Sequence, residues 1–278
     1  LYKLRILSLG AGVQSTTLFL MACDGLIPKF DATIFADTGW ESAHTYQLLH
    51  ELKQKAEISG TKIIVVRAGD IREPLRRQSG NVFYPSMPFF LRGKNGQKGM
   101  AHRQCTAEYK SSVIVKEIRK MLGLNKYQRA EKDCVEQVIG FSLDESKRMT
   151  VARQRFSVFS FPLITDLKMD REDCKTWLAM NYPELIVKKS ACIGCPYKNN
   201  NEWRSVKECP EEWKQAVEFD KQIRNYKGLI LPAYLHRARV PLDEVNFEII
   251  EKPHQLKLFQ DCKDYRGIEI IKTMVETL

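Results

Sequence analysis

Long apolar runs are missing from this 278-residue chain. The longest, such as Gly228–Ala233, fall far short of the ~20 residues a membrane-spanning helix needs, so no membrane partner is expected. Glycine and proline are modest at 15 and 11 residues, with no low-complexity tract and no internal repeat. Fibrous and largely disordered chains are thereby excluded. No basic-then-apolar leader opens the chain, since Leu4–Leu9 is short and runs straight into a glycine loop, and a cytoplasmic protein is expected. In that setting the eight cysteines (23, 105, 134, 174, 192, 195, 209 and 262) point to metal or redox chemistry rather than a disulfide framework.

Acidic residues are scarce in one place. Between Arg72 and Arg129 there are 13 basic residues against three acidic ones, Glu73, Glu108 and Glu117. That stretch carries the whole excess behind the net charge of +10. Such polarisation suits a polyanion, either the phosphates of a nucleotide or a nucleic-acid backbone, although a solvated basic face has the same composition. With 44% hydrophobic residues the chain can bury a sizeable core, as one large domain or roughly two smaller ones.

Strand and helix patterns alternate from the start. Arg5–Leu9, Ala32–Ala36 and Lys62–Arg67 read as buried strands. Helical spacing runs from Thr16 to Gly25 and from about Ser42, a cap, to Ile58, with Leu48, Leu49 and Leu52 on one face. This order predicts an α/β fold with a parallel sheet covered on both faces, which binds ligands at the carboxyl ends of its strands. Residues 68–104 break the rhythm and read as a basic lid or binding loop. Helical spacing returns over Thr106–Leu122, Gln137–Phe141 and Phe159–Leu163 read as further strands, and Asp170–Met180 as a helix. The division expected is a nucleotide-binding domain over 1–185 and a mostly helical, cysteine-containing extension over 186–278, with one clear helix, Glu211–Arg224.

Five stretches carry chemistry. Gly10-Ala-Gly12-Val-Gln14-Ser15-Thr16-Thr lies between a strand and a helix, where small residues admit a phosphate and the helix end adds a positive dipole. It lacks the Gly-Lys-Ser/Thr of a Walker loop and the third glycine of G-x-G-x-x-G. A tight turn without a ligand is its plain alternative. Asp37-Thr38-Gly39-Trp40-Glu41 ends the second strand, where Asp37 can meet a ribose, an amino group or magnesium, or form a simple Asx-type turn. Arg103-Gln-Cys105-Thr-Ala-Glu-Tyr-Lys110 places a cysteine near a helix start among cations, which favours thiolate, unless that cysteine is buried and structural. Gly140-Phe-Ser-Leu-Asp-Glu145-Ser146-Lys-Arg148 is a polar loop past another strand. Cys192-Ile-Gly-Cys195-Pro can offer two sulfurs to one metal, with a redox pair as competitor, and Cys209 lies downstream as a further ligand.

Taken in order, these stretches resemble the phosphoadenosine phosphosulfate (PAPS) reductase family within the PP-loop superfamily. The superfamily loop Ser-Gly-Gly-x-Asp-Ser corresponds to Gly10–Ser15, with Gln14 at the aspartate position as in PAPS reductases. Asp37-Thr38-Gly39 matches the family's Asp-Thr-Gly, and Gly140 to Arg148 resembles Gly-x-Arg-x-x-Glu-Ser-x-Arg with Ser142 in place of the first arginine. Phe161-Pro162-Leu163 with Asp166 resembles its Pro-Leu segment. Cys105 and Lys110 fall on the first cysteine and the lysine of Cys-Cys-x-x-Arg-Lys, with Thr106 and Tyr109 substituting between them. Cys192 and Cys195 fall on the family's Cys-x-x-Cys. The reductases' Glu-Cys-Gly-(Leu/Ile)-His tail has no counterpart around Cys262, so sulfate reduction by the chain alone is not expected.

The resemblance implies an enzyme binding ATP, or adenylyl sulfate, with magnesium. Gly10, Gly12, Gln14, Ser15, Thr16, Asp37, Thr38, Gly39, Glu145 and Ser146 would hold the nucleotide. Ser15, Asp37, Arg103, Lys110 and Arg148 would act in catalysis, the cations neutralising developing phosphate charge. Cys105, Cys192 and Cys195, with Cys209 as a fourth, would hold a [4Fe–4S] cluster or zinc. The activity expected is ATP-dependent sulfur transfer to RNA or DNA, fed by a sulfur donor such as a cysteine desulfurase. Two alternatives stand beside it: a sulfonucleotide reductase using an external thiol, and a non-catalytic nucleic-acid-binding module with structural zinc. A homodimer is left open.

Overall fold

The computed structural model describes residues 2–73, 86–93, 95–224, 226 and 231–248. Part of the basic lid, residues 74–85, and Cys262 lie outside the described residues. The first half runs β1 (Leu4–Leu9), α1 (Val13–Cys23), β2 (Ala32–Asp37), α2 (Ala43–Ser59) and β3 (Ile63–Arg67). Then come β4 (Phe90–Arg92), β5 (Lys98–Met100), a π-helical turn (Thr106–Ser111) and α3 (Ser112–Met121). The second half holds β6 (Val135–Ile139), a 3-10 turn (Leu143–Arg148), β7 (Ser157–Ser160) and the short α4 (Pro162–Thr165). It closes with α5 (Arg171–Asn181), α6 (Asn200–Lys207), α7 (Pro210–Arg224), β8 (Ala233–Tyr234) and a 3-10 turn at Leu242–Glu244.

Five strands form a parallel sheet in the order β3-β2-β1-β6-β7. The α/β expectation holds. Every residue of β2 is buried, as continuous apolar runs in a sheet covered on both faces require. On one face Leu7, Phe35 and Val138 pack with α1, α2 and α5. On the other, Ile6, Ile34 and Val135 meet Val113, Ile114 and Ile118 of α3. α1 is buried through nearly all of its length, and Thr17 is tolerated there because its hydroxyl donates to Val13 O at 2.9 Å. Ser42 caps α2 by accepting from Thr45 N, and Gly60, at φ 69°, ends it in the left-handed region.

A third core lies beyond the carboxyl edge of the sheet. It gathers Trp40 from the turn after β2, Ile71, Met87 and Phe89 from the lid, Tyr109, and Trp203, Phe219 and Leu235 from the extension. A small antiparallel sheet, β5-β4-β8, ties lid and extension together.

Several boundaries differ from the sequence pattern. The strand expected at Phe159–Leu163 is β7, three residues short of that end, because Pro162 begins α4 where its missing N–H costs nothing. The helix over Thr106–Leu122 opens as a π turn and becomes regular only at Ser112. The lid contributes β4 and β5, and the extension contributes α6 and β8 besides the expected helix.

Candidate functional site

The sheet order sets the crevice. After β1 the chain builds β2 and β3 on one side, whereas β6 and β7 lie on the other, so the carboxyl ends of β1 and β6 flank a topological switch point. The glycine loop sits there. Ala11 takes a positive φ of 52°, and Gly12, in extended conformation, precedes α1 with no side-chain cap. An uncapped helix start leaves backbone N–H groups available to an anion.

The hydroxyls of Ser15 and Thr16 are placed differently. Gly10 N donates to Ser15 Oγ at 3.1 Å and Ser15 Oγ donates to Gly12 O at 3.3 Å, so this hydroxyl braces the loop from inside. Thr16 is fully buried and its hydroxyl has no partner among the described residues. Gly140 presses on the loop from β6: a Cβ there would lie 2.8 Å from Ser15 N.

Gln14 joins the first motif to the fourth. Its Nε2 donates to Ser142 Oγ at 3.1 Å and Glu145 Oε2 at 3.0 Å. Ser142 in turn donates to Asp144 at 2.6 Å. Arg148 forms an ion pair with Glu145 and lies 4.4 Å from the Phe141 ring centroid. Gln14, Glu145 and Arg148 are therefore brought together beside the loop. Ser146 is exposed, and its carbonyl accepts from Met149 N.

Asp37 builds the Asx turn that the sequence offered as its plain alternative. Its Oδ1 accepts from Gly39 N at 2.7 Å and from Tyr46 Oη at 2.9 Å, and Arg67 Nε stands 3.9 Å from Oδ2. Burial, then the bond to Asp37, push the Tyr46 phenol up to about 12. Gly39 is at φ 76°, and a Cβ there would collide with the Arg67 guanidinium at 2.2 Å.

Thr38 links this turn to the cysteines. Its hydroxyl donates to Glu41 Oε1 at 2.7 Å and lies 3.2 Å from Cys192 Sγ. The contact is reinforced by an antiparallel bridge between Glu41 and Cys192 and by Ile193 N donating to Trp40 O at 2.9 Å. Burial pushes the Cys192 thiol well above its ordinary value, and Glu41 adds to that against the opposing pull of Lys110. Burial raises the Cys195 thiol too.

Lys110 belongs to this cluster. Burial works against its ammonium, but Glu41, Cys192, Cys105 and Cys195 outweigh it and raise the lysine above its usual value. Cys105 and Cys195 are partly exposed and pack against the third core, as Cys192 does within it. Cys209 stands between α6 and α7, its N–H bonded to Val206 O. No group of three or more His, Cys, Asp or Glu side chains among the described residues is arranged to hold a metal ion. Cys105, Cys192 and Cys195 gather about Lys110, and the buried Cys192 thiol is engaged with Thr38 and Glu41.

Arg103 holds its guanidinium 5.3 Å from the ring centroid of Tyr197, whose backbone bonds to the Cys195 thiol. Sequence reasoning did not single out Ser190, whose backbone N would lie 3.7 Å from a Cβ on Gly12 and whose hydroxyl has no partner among the described residues. It also passed over Tyr46 and Arg67 as neighbours of Asp37. A strand-end arginine opposite a strand-end aspartate was the available signal.

No helix among the described residues is long and apolar enough to cross a membrane. No protein-family model and no curated protein matches the chain. Among solved structures it is similar to a phosphoadenylyl-sulfate (PAPS) reductase from Candida auris in a phosphate complex, at 14% identity and a TM-score of 0.40, over 65% of this chain and 73% of that one.

Proposed function

We propose that this chain is a PAPS-reductase-like PP-loop enzyme that binds ATP at the carboxyl edge of the parallel sheet and activates a nucleic-acid acceptor for sulfur transfer. The observation that carries the reading is the uncapped start of α1, with Gln14 tied to Glu145 across the switch point. Phosphates bound there meet backbone N–H groups and the positive end of the helix. Arg148, paired with Glu145, supplies a cation at the same edge.

In this reading an acceptor oxygen attacks the α-phosphorus of ATP and pyrophosphate leaves. Sulfide delivered by an external donor then displaces AMP, which carries the oxygen away.

Gly12→Ala tests the loop. Its new Cβ would find Ser190 at 3.7–3.8 Å, ordinary contact, and its φ of −105° suits any residue. The variant therefore keeps the wild-type fold. A methyl group between the loop backbone and a phosphate costs affinity, and a loss of about tenfold or more in ATP binding by calorimetry is expected. Unchanged affinity removes the loop from nucleotide binding. Sulfite release from adenylyl sulfate with an added thiol, without pyrophosphate release from ATP, would replace sulfur transfer with reduction.

A further inference from the structure

Tyr197 is a large aromatic side chain left 48% exposed one residue beyond the Cys-x-x-Cys-Pro turn. Its ring carries the Arg103 guanidinium at 5.3 Å, and Arg103 is itself exposed. These residues come from separate segments: Arg103 leads into the π turn, and Tyr197 follows the extension's cysteines. Lys189 and Lys198 both bear electrostatically on Cys195, two residues from Tyr197. Lys188 and Lys189 are exposed, and Lys189 shares its charge with Glu202 at 2.9 Å. The next residue, Ser190, rests against Gly12 of the glycine loop.

An exposed aromatic ring and the guanidinium over it, bordered by lysines, match an unpaired base with its phosphates. A base inside a duplex offers no open face to such a pair.

Resting on the nucleic-acid reading above, we infer that Tyr197 and Arg103 form a stacking platform for an unpaired base of a single-stranded nucleic acid, with Lys189 and Lys198 on its phosphates. The segment 188–190 spans from these lysines to the glycine loop, so a strand seated on the platform runs toward the nucleotide crevice. The structural role of the Tyr197 side chain is small. It packs against Arg103 outside the third core, so its removal leaves that core intact.

The test is fluorescence anisotropy with labelled single-stranded RNA and DNA, a duplex of the same length, and an abasic strand of the same charge, all at one salt concentration. Wild type is expected to bind a single strand more tightly than the duplex or the abasic strand. Tyr197→Ala is expected to weaken single-strand binding by roughly 5- to 100-fold, the scale of one base stacked on an aromatic ring. Tyr197→Trp should restore it, and ATP binding should be the same in all three proteins. Equal binding of abasic and normal strands, or of duplex and single strand, overturns the platform, as does Tyr197→Ala binding like wild type. If ATP is not bound by wild type while stacking behaves as expected, the nucleotide reading fails and the platform stands.

Discussion

Gly140→Ala is the sharpest probe of how the sheet holds the glycine loop. The added Cβ would lie 2.8 Å from Ser15 N, 3.0 Å from Ser15 Cα and 3.2 Å from Gln14 C. All three atoms are backbone, so no side chain can swing aside. Comfortable contact begins at about 3.5 Å, and one chain must therefore yield by roughly half an ångström or more. On one side, β6 is paired with β1 up to Ile139 and with β7 up to Val138. On the other, α1 is packed into the core along its length. Neither gives way cheaply in a close-packed interior. The expected loss of stability is about 2–3 kcal/mol, the upper part of the overpacking range. The shift falls on the first turn of α1, so ATP affinity should drop by about tenfold or more, which is ~1.4 kcal/mol. Gly10→Ala is the matched control, since its Cβ would meet only Ser15 Oγ at 3.7 Å. Urea melts and calorimetry on both variants read the two effects. A Gly140→Ala protein with the wild-type midpoint and wild-type affinity would refute the idea that this contact holds the loop.

Two further expectations concern titratable groups. In native protein at pH 8, alkylation followed by peptide mass spectrometry should modify the partly exposed Cys105 well before Cys174, whose thiol burial pushes to about 12, and before Cys192, raised further by burial. Equal labelling of all three would show that the core opens far more readily than its packing implies. Tyr46 holds its proton more tightly when folded, with a value of about 12 against 10.0 for a free phenol. Its contribution is complete below pH 10 and fades as pH rises toward 12. Tyr46→Phe should flatten the alkaline decline of stability in that window; an unchanged slope would detach the phenol from it.

The parallel sheet was largely legible in the sequence because its signals are local. Short apolar runs bounded by turns placed β1, β2 and β3, and Ser42 announced the start of α2 that it caps. The small antiparallel sheet was not legible. β4 and β5 have three residues each, and β4 pairs with β8, whose Tyr234 lies opposite Phe90 far along the chain. Nothing in a three-residue run containing Gly99 marks it as a strand until its partner is known. The bonding of the loop residues around the site was not legible. Ser15 reads as a phosphate donor in a linear motif, whereas its hydroxyl closes a turn onto Gly10 and Gly12. Gly140 reads as an ordinary strand end until β6 is placed beside β1.

Lys110 shows how tertiary placement changes the meaning of a basic residue. In the sequence it belongs to a stretch of positive charge suited to phosphates. In the fold it is drawn toward Glu41, Cys105, Cys192 and Cys195, where its charge is held against burial by those neighbours. Glu41 in turn shares Thr38 with Cys192, and Thr38 sits one residue from Asp37. Gly194 completes the fit, since a Cβ there would strike the buried Trp40 ring at 2.1 Å. The Cys-x-x-Cys turn is thus seated on the Asp-Thr-Gly turn by backbone bridge, side-chain bond and ring contact together. Any change in the bonding of Cys192 must be felt at Thr38, and through it at the carboxyl end of β2 that lines the crevice.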